Sequence, residues 1–238
     1  MKATIQKIIQ ETPRVLTFIV TPERPIAFKT GQAMKWNIPQ VPIGRLFSIA
    51  SPGSEAATEL WFTIRIFENG KFTSQLRLLK EGDAIELAGP FGKFIFDEAD
   101  TSDVGLIAGG SGISVLRSIF RTVLDKKLPR KVHLVFSVLN VNEIIYKDEL
   151  AELVQTHSNF TYTIIPTEKH PDWRGQCGFV NRPVFDNEFK DYKERFYICG
   201  PQAFIDCSQG ILKEAGVPED RIHIDHWTFY TPKQKGEA

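Results

Sequence analysis

Along the first hundred residues, apolar and polar positions alternate in short runs. Residues 15–21 (VLTFIVT) are rich in β-branched and aromatic side chains, and 34–39 (MKWNIP) alternate. In 45–51 (RLFSIAS), Leu46 and Ser48 fall on one face and Phe47 and Ile49 on the other. In 60–66 (LWFTIRI), Leu60, Phe62, Ile64 and Ile66 oppose Trp61, Thr63 and Arg65, and 84–87 form another short run. Gly31, Gly44, Pro52-Gly53, Asn69-Gly70, Gly82 and Gly89-Pro90 punctuate them. This spacing predicts a small antiparallel barrel or sandwich. One stretch breaks the pattern: in 71–80, Phe72, Leu76 and Leu79 recur at helical spacing, which predicts a helix with a core-facing stripe.

The period changes after the acidic run 97–103, read as a domain junction between 1–100 and 101–238. From there strands and helices alternate. Strand 104–108 leads to a helix at 112–125, strand 132–138 to a helix at 147–155, and strand 160–165 follows. Strand 196–199 leads to a helix at about 201–215, with Pro201 at its start and Gly216 past its end, and strand 222–226 closes the set. The alternation predicts a doubly wound parallel α/β sheet. Residues 231–238 read as a polar tail.

Composition adds bounds. Of 238 residues, 42% are apolar and 24% charged, enough to bury a core in a soluble protein. Lys+Arg and Asp+Glu balance at 29 each, which gives no support for a nucleic-acid partner. No apolar run reaches a membrane span, and the first fifteen residues lack the apolar core of a signal peptide; the expectation is a cytoplasmic protein. The three cysteines, Cys177, Cys199 and Cys207, form no C-x-x-C pair, which argues against a zinc or iron–sulfur site. His223, Asp225 and His226 alternate in direction on a strand, so no metal site is expected.

Three stretches carry candidate chemistry. In 105–120 (GLIAGGSGISVLRSIF) a strand bends through Gly109, Gly110, Ser111 and Gly112 into a helix at Ile113, a corner suited to a pyrophosphate or simply a tight turn. Val115 stands where a third glycine would complete the dinucleotide fingerprint, so an ordinary dehydrogenase is disfavoured. Arg45-Leu46-Phe47-Ser48 puts a cation, a ring and a hydroxyl within four residues of a strand. Cys199-Gly200-Pro201 ends a strand where open α/β sheets bind ligands.

In this order, barrel strand, glycine corner and late strand end, the stretches resemble the ferredoxin–NADP reductase superfamily of flavoproteins over nearly the whole chain. The family marks are Arg-x-Tyr-Ser/Thr, Gly-Gly-Thr-Gly-Ile and Cys-Gly-Pro. Gly70 with Thr73-Ser74, Gly89-Pro90-Phe91-Gly92, 146–150 (YKDEL) and 216–219 (GVPE) also match. The resemblance implies a flavin-binding barrel, a nicotinamide-binding α/β domain and hydride transfer from NAD(P)H to bound FAD, the commoner flavin in the family, rather than FMN. It implies that Arg45 pairs with the flavin pyrophosphate, Phe47 lies on the isoalloxazine and Ser48 reaches flavin N5. Gly70, Phe72, Thr73 and Ser74 would hold the flavin phosphates, and Gly109 to Ile113 the nicotinamide pyrophosphate. Cys199, with Gly200 and Pro201, would stand beside nicotinamide C4, with Asp225 near that ring and Trp227, Phe229 or Tyr230 over the flavin.

Departures matter as well. Phe47 replaces Tyr, Val115 replaces Pro, and Leu139 replaces a frequent Arg. Thr167-Glu168 stands near the Ser-Arg that grips a 2′-phosphate in NADP-preferring members, which tilts the expectation towards NADH, although Lys169 and Arg174 are near. The chain carries no C-x4-C-x2-C spacing, so electrons are expected to leave to a separate ferredoxin, flavodoxin or oxygenase component. Two rivals stand beside this reading: a reductase of free flavin or quinone, and a non-catalytic flavin- or nucleotide-binding regulatory subunit.

Overall fold

The computed structural model describes residues 1–226, so Trp227, Phe229 and Tyr230 lie outside the described residues. The N-terminal part contains β1 (Lys2–Thr12), β2 (Val15–Pro22), β3 (Ile26–Phe28), β4 (Ala33–Ile38), β5 (Val41–Ser48), β6 (Ser54–Ala57), β7 (Leu60–Arg65), the single turn α1 (Thr73–Leu76) and β8 (Ala84–Phe91). Six of these strands form a barrel-like antiparallel sheet in the order β5-β4-β8-β1-β2-β7, and β3 pairs with β6. The inward residues of this sheet meet around Trp36, which takes edge-on contacts from Phe18 at 5.5 Å, Phe62 at 5.0 Å and Phe47 at 6.0 Å. The two sheet edges close on each other just past β5, where the Ala50 N–H donates to the Trp61 carbonyl at 2.7 Å.

The second part contains β9 (Val104–Gly109), α2 (Ile113–Asp125), β10 (Val132–Val138), α3 (Lys147–Thr156), β11 (Phe160–Pro166), α4 (Arg182–Glu188), β12 (Arg195–Cys199), α5 (Gln202–Glu214) and β13 (Ile222–Asp225). All five strands are parallel, in the order β11-β10-β9-β12-β13. Near-continuous apolar runs in β9, β10 and β12 fit strands covered on both faces. Leu106, Leu134 and Phe136 pack with α2 and α3 on one side. Ile107, Val135 and Ile198 pack with α4 and α5 on the other. The chain runs outward from β9 to β10 and β11, then returns to β12. The strand order therefore reverses between β9 and β12, where such sheets open a crevice at their C-terminal ends.

The two parts share a core. Val15 and Phe96 are buried among the residues of β9, β10 and α2. The Thr30 and Thr122 hydroxyls meet at 2.7 Å, and Arg14 pairs with Glu143 at 2.6 Å. Three features differ from the sequence pattern. β1 is a full strand; the helix expected over 71–80 is one turn; and α4 was not anticipated.

Candidate active site

The glycine corner forms where β9, fully buried, runs into one 3₁₀ turn at 110–112 and then into α2. Gly110 adopts φ +53°, a left-handed conformation that favours glycine. A Cβ on Gly112 would overlap the Cys199 carbonyl oxygen, and one on Gly200 would lie 3.0 Å from Gly109 Cα. The corner after β9 and the strand end after β12 thus pack backbone against backbone. Val115, the third residue of α2, is fully buried, so it serves the core.

A cation reaches this corner from the barrel. Arg65 closes β7, and its Nη1 lies 3.8 Å from where a Cβ on Gly110 would be. Its guanidinium stands 5.6 Å from the Phe67 ring centre, and no carboxylate among the described residues pairs with it. Sequence reasoning missed Arg65, because alternation along 60–66 marks it only as an outward polar position.

Ser48, Cys199 and Asp225 converge although they end three different strands in two sheets. Cys199 and Asp225 are paired in register at the ends of β12 and β13. The Cys199 thiol donates to Asp225 Oδ2 at 3.9 Å, and Ser48 lies near enough for its hydroxyl to lower the pKa of this carboxyl. Ser48 is buried at the end of β5. Burial pushes the Asp225 carboxyl up to about 6, against the contrary pull of Cys199, His226 and Ser48. A carboxyl so placed holds a proton in mildly acidic solution where an exposed aspartate would not.

Arg45 opens on a second feature, a cleft of about 440 Å³ lined by residues 40–43, Arg45, Lys71, Phe72 and Gln75. The Arg45 guanidinium donates to its neighbour's carbonyl, Gly44 O, at 3.3 Å. Neither Arg45 nor Lys71 has a carboxylate at ion-pair distance among the described residues. Two cations facing a cleft without counter-charge suit a phosphate. Phe47 is 8% exposed, packed against Trp36 and, at 5.7 Å, against Phe72, so only a rim of its ring faces outward; Leu46 is exposed. The Thr73 hydroxyl accepts from the Phe67 N–H at 3.1 Å and donates to the Phe67 carbonyl at 3.3 Å, tying the loop beside Gly70. The Ser74 N–H donates to the Gly70 carbonyl at 3.0 Å in the same turn.

Thr167 and Glu168 follow β11 at the opposite edge of the crevice. Their N–H groups donate to Val138 and Leu139, and Asn140 Nδ2 donates to Glu168 Oε2 at 3.1 Å. β11 stands two places from β9, about 10 Å at ordinary strand spacing.

Residues 2–96 match the oxidoreductase FAD-binding domain and residues 106–210 the oxidoreductase NAD-binding domain. The phenol hydroxylase P5 protein of Acinetobacter pittii is 30% identical over 100% of this chain and 68% of its own length. The chain belongs to the ferredoxin–NADP reductase superfamily. Within that superfamily it is also 30% identical to the reductase component of phenol 2-monooxygenase from Pseudomonas sp. strain CF600, over 97% of this chain and 65% of the relative. It thus spans about two thirds of the length of these curated relatives. A cytochrome P450 reductase from Amycolatopsis shares the fold with a TM-score of 0.86 at 24% identity, covering 96% of this chain and 70% of that one. Arg45, Ser48 and Arg65 lie in the part that matches the FAD-binding domain, and the glycine corner and Cys199 in the part that matches the NAD-binding domain.

Proposed function

We propose that the protein is an FAD-dependent NAD(P)H reductase that passes electrons to a separate acceptor, most simply an oxygenase component like those served by its monooxygenase relatives. One observation carries this reading: Ser48 of the barrel and Cys199 and Asp225 of the parallel sheet meet at one point, between an uncompensated cationic cleft and a glycine corner. The residues present fit both nucleotides. Arg45 and Lys71 face the cleft where a flavin pyrophosphate would lie, and Arg65 with Gly109 to Ile113 would hold that of the nicotinamide. The redox chemistry, transfer of hydride from a nicotinamide to flavin N5, is supplied by the cofactors when bound. The chain's own work is placement and proton control. The Ser48 hydroxyl is held at the end of β5 as a donor for flavin N5. Cys199 fills the strand end and limits how close a nicotinamide approaches. Asp225 accepts from the Cys199 thiol and can hold a proton near Ser48. Glu168 would accept from ribose hydroxyls and repel a 2′-phosphate, which favours NADH. A cytoplasmic setting would keep the exposed Cys177 and Cys207 thiols reduced.

Ser48→Ala tests this arrangement. Removing one preorganised donor at the reacting atom should slow anaerobic flavin reduction by NADH about 10²-fold, with flavin content unchanged. A reduction rate equal to that of the wild type removes Ser48 from the site.

A further inference from the structure

Arg117 is among the most deeply enclosed charges of the molecule, 5% exposed, and it touches both halves. Its Nε and Nη2 donate to the two oxygens of Glu149 in α3 at 2.7 and 2.8 Å. Its Nη1 crosses to the barrel and donates to the Ala50 carbonyl at 3.0 Å. The guanidinium lies between two rings, 4.3 Å from the Trp61 centre on the barrel side and 5.2 Å from the Tyr146 centre on the other. Tyr146 is locked in turn. It holds φ +59° in the left-handed region, its hydroxyl donates to Thr63 Oγ1, and its N–H donates to Glu11 Oε2 at 3.2 Å. Thr63 meets Thr17 at 2.7 Å, and Thr17 donates to Glu11 Oε1 at 2.7 Å, which closes a buried ring of hydrogen bonds between β1, β2, β7 and the start of α3.

The position of this node matters more than its contact list. Arg117 sits one turn into α2, about 6 Å along the axis from Ile113, where the glycine corner ends. Ala50 follows Ser48 by two residues, at most about 7 Å of extended chain. Ala50 also forms the seam that closes the barrel, through its N–H to the Trp61 carbonyl. The corner and the Ser48 hydroxyl are therefore joined by two short stiff segments and one hydrogen bond. A planar fork with both arms and its third nitrogen engaged fixes orientation as well as distance, which an apolar contact in the same place would not.

We propose that Arg117 is a positioning residue for hydride transfer, holding the glycine corner in register with the strand end that carries Ser48. This rests on the reductase reading above. The Thr30–Thr122 and Arg14–Glu143 contacts remain when Arg117 is changed, so the two halves stay docked but lose their fixed register. A misplacement of about 1 Å between reacting groups is enough to cost about 10²-fold in rate.

The test uses the flavin-loaded full chain and two half-reactions followed separately: anaerobic reduction by saturating NADH, and reoxidation of photoreduced flavin by ferricyanide, which needs no nicotinamide. In Arg117→Met, the reduction rate constant should fall at least about tenfold, while flavin content, NADH affinity and ferricyanide reoxidation stay within about twofold. Arg117→Lys, which keeps the charge but not the fork, should fall between Met and wild type, and Glu149→Gln should follow the same split. If Arg117→Met does not fold, Lys and Gln decide. A purely structural role would lower melting temperature and flavin content and leave the ratio of the two half-reactions alone; that result, or reduction within twofold of wild type in the folded variants, overturns the proposal. A wild-type flavin that neither NADH nor NADPH reduces overturns the reductase reading itself, and this inference with it.

Discussion

Asp225 shows how the setting of a single residue becomes chemistry. Its carboxyl ends β13 in the crevice, and burial raises it to about 6 despite the Cys199 thiol that donates to it and the nearby His226 and Ser48. An acid whose folded value exceeds its unfolded one holds a proton in the fold that the open chain releases. Its stabilising contribution is therefore full below about pH 4 and lost as the pH rises through about 6. The shift from 3.8 corresponds to at most about 3 kcal/mol, lessened by the partial exposure of the side chain. Asp225→Asn is neutral at every pH and escapes this loss. Its melting temperature relative to wild type should rise between pH 5 and pH 8, and an inflection near pH 6 in the rate of flavin reduction should disappear. An equal melting difference at both pH values would mean that Asp225 is an ordinary carboxylate. Ser48 and Cys199 stood out in the sequence as candidates because Ser48 closes one short motif, Arg45-Leu46-Phe47-Ser48, and Cys199 opens another, Cys199-Gly200-Pro201. Arg65 and Arg117 were not. Arg65 alternates outward like any strand arginine, and the partners of Arg117 lie 67 residues before it and 32 after it.

At the level of elements, the glycine corner was legible because it is local. A strand, a glycine bend and a helix follow one another within sixteen residues, and the observed α2 begins at Ile113 as its pattern implies. What the corner packs against was not legible. Gly112 faces the Cys199 carbonyl from a strand some ninety residues later. Gly112→Ala would drive a methyl group into that oxygen, so the two strand ends must part, at a cost of about 1–3 kcal/mol. NADH affinity should fall about tenfold or more while flavin binding is retained, since the cleft proposed for the flavin lies on the barrel; unaltered NADH affinity by titration would place the nicotinamide elsewhere. Other elements escaped the pattern for identifiable reasons. β1 carries register shifts between Ile5 and Lys7 and between Gln10 and Thr12, which break its alternation. The helix implied by Phe72, Leu76 and Leu79 stops after one turn, because Phe72 and Leu76 are drawn into the barrel core and the chain turns at Lys80, whose N–H donates to Asp83. α4 did leave a signal, Asn181 followed by Pro183; the Asn181 side chain caps the Val184 N–H at 3.1 Å.

Across the whole molecule, function follows from how two separately readable halves are joined. The period change near residue 100 separates the two patterns, but the buried joint of Arg117, Glu149, Tyr146, Thr63 and Glu11 draws on four sequence-distant segments, and no periodicity announces it. That joint brings the crevice between β9 and β12 over the end of β5. In the proposed reaction this crevice delivers hydride from a nicotinamide to a flavin held by the barrel. The most direct measurement is an anaerobic titration of the flavin-loaded protein with NADH and, separately, with NADPH, following the visible flavin absorbance. The expected result is bleaching with one equivalent of nicotinamide per flavin, faster with NADH than with NADPH if Glu168 meets the ribose as proposed. Bound flavin that stays yellow with both nucleotides would contradict it.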